Sequence, residues 1–128
     1  MLSLGMKNEV ARVVDGTNTA KAMGSGALDV FATPAMVALM EYTAYKSVEP
    51  FLEENQGTVG AMIEARHLSA TPVGMAVVCK SELIEIDRKR LRFEIEVSDS
   101  AGVVGTAVHD RFIIDNDRFM EKCLQKLK

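Results

Sequence analysis

Two hydrophobic periodicities divide the chain. From Thr33 to about Glu49, in TPAMVALMEYTAYKSVE, apolar residues recur at helical spacing. Thr33 is a good helix N-cap, and Pro34 suits the first helical position because its missing N–H has no partner there. Pro50 disfavours helical geometry at the residue before it and so sets the end. Beyond Pro50 the period shortens to two. The segments 57–70, 75–86, 91–97 and 103–114 read as strands separated by turn residues at Thr71-Pro72-Val73-Gly74, Asp87-Arg88-Lys89 and Ser98–Gly102. LRFEIEV (91–97) alternates strictly, with Leu91, Phe93, Ile95 and Val97 on one face. Short turns without intervening helices predict an antiparallel meander.

The flanking segments are less regular. Residues 6–15 read as a short strand or extended lead, and 16–30, with three glycines and small polar residues, as a flexible connection. Phe119, Cys123 and Leu127 recur every four residues and predict a terminal amphipathic helix over 115–128. One long helix with a meander implies an α+β domain in which the helix covers the apolar face of the sheet. At 128 residues the chain suits one domain, 1–128.

One position breaks the helical pattern. At roughly 100° per residue, Lys46 and Glu49 cluster on a solvent stripe, joined by Glu53 only where the helix continues past Pro50, and Glu41 lies about 110° from it. Its neighbours are Val37, Ala44, Tyr45 and Val48, so Glu41 flanks the apolar face. A carboxylate there is either a boundary residue reaching to water or paired with a cation, or a partly desolvated acid fit for acid–base or nucleophilic chemistry.

Two further residues join it. On the strand from 57, Val59, Ala61, Ile63, Ala65 and His67 share the core-facing row, with Thr58, Met62, Glu64 and Arg66 opposite. His67 is then either a satisfied core residue or an acid–base group active near neutral pH. Thr33, as an N-cap, spends its hydroxyl on the backbone, yet the same helix end offers free N–H groups to a carbonyl or negative oxygen. On the last strand His109 and Arg111 share a face with Gly105 and Ala107. Arg111 is expected to pair with an acid such as Glu64 or Asp110, or to touch a ligand. Arg88, Lys89, Arg90 and Arg92 form a solvated hairpin end or, less simply, a phosphate contact.

Composition narrows the partners. With 48% apolar and 26% charged residues this is a globular chain, and a net charge of −3 lacks the basic footprint of a nucleic-acid binder. Cys79 and Cys123 have neither zinc-ligand spacing nor the density of a disulfide framework. The start, MLSLGMKNEV, is too short and too poor in positive charge for a signal peptide, and no apolar run approaches the roughly 18 residues of a membrane span. A reducing cytoplasm is the expected location, with no membrane contact.

The segments FAT (31–33), VALME (37–41), GTVGAMIEARHLSATPVG (57–74) and GTAVHDRFII (105–114) together resemble the fluoroacetyl-CoA thioesterase family of the hotdog-fold superfamily. The likeness runs over roughly two thirds of the chain. It implies an antiparallel sheet wrapped around one long central helix, and a homodimer with active sites near the subunit interface. It implies Thr33, Glu41 and His67 as the catalytic set, Gly60 as a backbone contact to the thioester, and no metal or cofactor beyond the CoA of the substrate. Arg111 is carried as a substrate contact.

In the fluoroacetyl-specific enzyme, phenylalanines in the loop before the helix close over the acyl group. Here TAKAMGSGALD (19–29) has none and offers Met23 and Leu28, so a different acyl-CoA, or another acyl thioester, is expected. Hydrolysis of an acyl-CoA is the leading reading. The alternative is a hotdog protein that binds acyl-CoA without turnover, because an open loop leaves the thioester exposed. An enoyl-CoA hydratase comes last, since its Asp/His motif is not found.

Overall fold

The computed structural model describes residues 1–128. Strand β1 (Lys7–Val13) leads to a one-turn helix α1 (Ala20–Met23) and the long helix α2 (Thr33–Val48), which passes into a 3-10 turn at Glu49–Phe51. Strands β2 (Gln56–His67), β3 (Ala76–Asp87), β4 (Arg90–Asp99) and β5 (Gly102–Asp115) follow, then helix α3 (Asn116–Leu124) with a terminal 3-10 turn. All pairings are antiparallel, in the order β1-β3-β4-β5-β2. This is the α+β hotdog arrangement: the sheet curls around α2.

The period-two pattern builds the core directly. Leu91, Phe93, Ile95 and Val97 are all buried, with Glu94 and Glu96 exposed between them. They meet Met36, Leu39, Met40, Ala44 and Val48 from α2, with Val77, Cys79 and Leu83 of β3 beside them. Burying a side chain of this size contributes about 1.5–3 kcal/mol. Opposite the core, the sheet surface is charged: Lys7, Glu9, Glu64, Lys80 and Glu82 line an open hollow of about 940 Å³.

The strand order departs from a simple meander. β3, β4 and β5 are joined by short turns as expected, but β2 pairs with β5 and β3 with β1. The residues 71–74 therefore do not fold β3 back on β2. Thr71 donates its hydroxyl to Asp99 Oδ2 (2.7 Å), the Thr71 carbonyl accepts from the Phe31 N–H, and the Gly74 N–H reaches the Val14 carbonyl. The chain is thereby drawn across the end of the sheet, and β2 becomes an edge strand.

The segment 16–30 is also more structured than its composition suggests. Thr19 caps α1 by accepting from the Ala22 N–H (3.1 Å), and Gly24 ends it at φ 70°, a left-handed conformation that favours glycine. The Ala20 and Lys21 N–H groups bond the Val30 and Leu28 carbonyls, closing the loop on itself in front of α2. No helix is long and apolar enough to cross a membrane.

Candidate active site

The start of α2 differs from expectation in a way that matters. Its N-cap is Ala32, which is fully buried, has extended backbone angles and makes no side-chain cap bond. The Ala32 carbonyl accepts the first helical bond from Met36, and its own N–H is held by the Asn18 carbonyl. Thr33 is thus the first helical residue, and its hydroxyl is released from capping. That hydroxyl lies 2.8 Å from His67 Nδ1, at the far end of β2.

His67 is half-buried, and Phe31 stands edge-on to its ring. Burial holds its pKa below the ordinary histidine value, so the ring is neutral at pH 7. Its second nitrogen, Nε2, is buried without a hydrogen-bond partner. A neutral imidazole anchored at one nitrogen and free at the other is ready to exchange a proton with a ligand.

Two turns along α2, Glu41 keeps 42% of its side chain exposed and leans over β2 at Gly60. A Cβ on Gly60 would come within 2.8 Å of Glu41 Oε2. Only a glycine lets the carboxylate rest on the strand. Arg111 Nη1 lies 3.7 Å from the same oxygen.

The strand face holding these groups is reorganised by a β-bulge. The register of β2 against β5 shifts between Gly60 and Met62, which leaves Ala61 without a partner. An extra residue in a strand exchanges inward and outward positions beyond it. Ile63, Ala65 and His67 stay inward as expected. Before the bulge, Thr58 and Gly60 face inward in place of Val59 and Ala61. Thr58 is consequently a site residue that the alternation concealed: Arg111 donates to its hydroxyl (2.8 Å) and to its carbonyl (2.9 Å).

Arg111 pairs with neither acid expected of it. Glu64 lies on the opposite face, and Asp110 is held by a two-pronged bond from Arg92 (2.7 and 2.9 Å). Arg90 bonds Glu85 (2.8 Å), so two of the four hairpin cations are neutralised within the chain. Only 9% of the Arg111 side chain is exposed, and Tyr45 stacks beneath its guanidinium at 5.6 Å. Desolvation destabilises that charge, and Glu41 offsets part of the cost.

The expected residues therefore form two groups within one chain. Thr33 meets His67, and Glu41 meets Gly60 and Arg111, but no hydrogen bond or ion pair joins the two. Gly60 and His67 are separated by about 20 Å of strand. No three His, Cys, Asp or Glu side chains come together to hold a metal ion.

A model of the family described as "FlK: Fluoroacetyl-CoA-specific thioesterase" matches residues 14–117. The chain belongs to the FlK family. The fluoroacetyl-CoA thioesterase of Streptantibioticus cattleyicolor is 35% identical over 98 residues, which are 77% of this chain and 70% of that one. The solved fluoroacetyl-CoA thioesterase FlK superposes with a TM-score of 0.92 at 29% identity, over 98% of each chain. A Thermus thermophilus thioesterase superfamily member superposes with a TM-score of 0.89 at 26% identity, over 99% of this chain and 93% of that one. Membership of the FlK family makes this chain an acyl-CoA thioesterase in general type.

Proposed function

We propose that the protein hydrolyses a small acyl-CoA thioester to the free acid and CoA. The observation that carries the proposal is the Thr33–His67 pair, 2.8 Å apart at the start of α2, with His67 Nε2 buried and unpartnered. Glu41 either attacks the thioester carbonyl or takes a proton from the attacking water. Rapid-quench mass spectrometry for an acyl group on Glu41 separates these routes. His67, neutral at rest, takes up at Nε2 a proton released by the attacking water, directly or through Glu41, and passes it to the CoA thiolate. The Thr33 hydroxyl and the Gly60 N–H orient the carbonyl and stabilise the charge developing on its oxygen.

The same reading calls for a homodimer. β2 is a twelve-residue edge strand, and a long unpaired edge favours pairing with another strand. Two β2 strands paired antiparallel about a two-fold axis between Ile63 and Glu64 set Gly60 of one protomer opposite His67 of its partner. Each site is then composite: Glu41, Gly60 and Arg111 come from one chain, and Thr33 and His67 from the other. The separation of the two groups within a single chain supports this arrangement.

The acyl specificity follows the loop around α1. A hollow of about 360 Å³ between it and α2 is lined by Met23, Phe31, Ala35, Ala38, Leu39 and Tyr42, with Arg12 at its edge. Met23 and Leu28 remain exposed, and no phenylalanine closes over the segment 19–29. We assign a small acyl group without selectivity for fluoroacetyl, and a cytoplasmic location, where the unpaired Cys79 and Cys123 remain thiols.

Thiol release across a panel of short acyl-CoAs, fluoroacetyl-CoA included, tests the reading. The open loop also suits a second reading, acyl-CoA binding without turnover. Tight binding with no thiol release on any substrate would establish that one instead.

A further inference from the structure

His109 takes no part in the scheme above, yet it is the most deeply buried ionisable group near Glu41, with 1% of its surface exposed. It lies on β5 two residues before Arg111, on the same inward face. Phe93 packs against its ring at 6.3 Å. Both ring nitrogens are engaged. Nδ1 is 2.8 Å from the Met62 carbonyl at the bulge of β2, and Nε2 is 3.2 Å from Arg111 Nη1.

These two contacts fix the tautomer. A carbonyl only accepts, so Nδ1 carries the hydrogen. A guanidinium only donates, so Nε2 presents its lone pair to Arg111. A charged imidazolium fails here, because it would turn a second N–H against the Arg111 N–H. Burial and the Arg111 charge act the same way, keeping the ring's pKa low, while the Met62 carbonyl, Glu41 and Asp110 oppose them.

The consequence falls on Arg111. Its Nε and Nη2 donate to Thr58, and one Nη1 hydrogen goes to His109. Nη1 itself lies 3.7 Å from Glu41 Oε2, which leaves its remaining hydrogen for the carboxylate or a ligand. We propose that His109 is a positioning residue: as a neutral Nδ1–H imidazole bridging the Met62 carbonyl and Arg111, it holds the guanidinium against Glu41 and Gly60. The neutrality of the bridge is its chemical point. A carboxylate at 109 would satisfy the same N–H but would also neutralise Arg111. An imidazole lone pair fixes the direction of the guanidinium and leaves its charge to act on Glu41 and on the thioester beside Gly60.

This inference rests on the hydrolase reading only for its effect on turnover. The tautomer is measured without substrate. The chain has two histidines, so ¹⁵N-histidine labelling of the intact protein, with His67→Gln for assignment, resolves His109 by NMR. At pH 7.5 the expected pattern is a protonated Nδ1 and an unprotonated Nε2. An Nε2–H tautomer or an imidazolium overturns the proposal.

The kinetic arm compares His109→Gln with His109→Leu. The glutamine amide can donate to Met62 and accept from Arg111, so His109→Gln should keep kcat within about threefold. His109→Leu leaves Arg111 unanchored and should lower kcat about tenfold or more, with a smaller change in KM, because misplacement near the reacting atoms costs rate steeply. Equal activity in the two variants overturns the positioning role. If the wild-type protein releases no thiol from any acyl-CoA, the hydrolase reading fails, and the NMR measurement still decides the tautomer.

Discussion

Gly60 and Glu41 are in contact across the space between β2 and α2: the glycine leaves room for the carboxylate that a methyl group would fill, 2.8 Å from Oε2. The atom in the way is the end of a flexible side chain, so the fold can absorb Gly60→Ala by swinging Glu41 aside. The expected result is a melting temperature close to wild type with kcat/KM lowered about 10- to 100-fold, the scale of loss for a displaced reacting group. Unchanged activity would show that Glu41 need not rest on Gly60.

Glu41→Gln and His67→Ala should each lower turnover by about two orders of magnitude or more, as positioned acid–base groups contribute 10²–10⁴-fold. Circular dichroism and sedimentation should show both variants folded and assembled like the wild type. A folded Glu41→Gln protein with full thioesterase activity would remove the carboxylate from the mechanism.

Mixing those two inactive variants distinguishes a composite site from one contained in a single chain. When the sites are shared, a mixed dimer keeps one intact site, with Glu41 from the His67→Ala chain and His67 from the Glu41→Gln chain. After unfolding and refolding together at equal amounts, activity should return to about a quarter of wild type. No recovery, with mixed dimers confirmed by mass spectrometry, would place each site within one protomer.

Thr33 offers a separate comparison because its hydroxyl is not needed as a cap. Thr33→Ser keeps the bond to His67 and should retain most activity. Thr33→Val removes it and should lower kcat about 10-fold or more, since a lost donor to a developing oxyanion costs 10²–10³-fold in the strongest cases. Stability should hardly change in either variant, as the residue is exposed. A large loss of melting temperature in Thr33→Val would return the hydroxyl to a structural role.

Stability should depend on pH in two windows. Burial holds the pKa values of both His67 and His109 below that of an ordinary histidine. The unfolded chain then binds more protons than the folded one below about pH 6.5. Their contribution is complete above that pH and is lost as pH falls through the folded values. The Arg92 bond to Asp110 and the Thr71 bond to Asp99 lower those carboxyls, so a second loss begins near pH 4. Thermal melts should be level from pH 7 to 8 and fall on acidification. A melting temperature that rises between pH 7 and 5.5 would contradict this.

Local periodicity sufficed for much of this protein. The helix bounded by Thr33 and Pro50, the alternation of Leu91 to Val97 and the strands 75–86 and 103–114 are legible in the sequence because each depends on neighbours a few residues away. So is the offset of Glu41 from the Lys46 and Glu49 stripe, since a helix fixes angles from residue number alone. His67 reads correctly as inward for the same reason.

Tertiary structure decided the rest. The bulge at Gly60–Met62 turned Thr58 inward, and one added residue leaves no mark on an alternating pattern. The hydrogen bonds of Thr71 and Gly74 sent β2 to the edge of the sheet, although the same turn residues suit a hairpin. Burial of Ala32 moved the cap by one residue and freed the Thr33 hydroxyl for His67. Asp110 was claimed by Arg92, which left Arg111 to Thr58, His109 and Glu41. In each case the sequence supplied the chemical groups, and competition among distant partners for the same hydrogen bonds selected which of them meet.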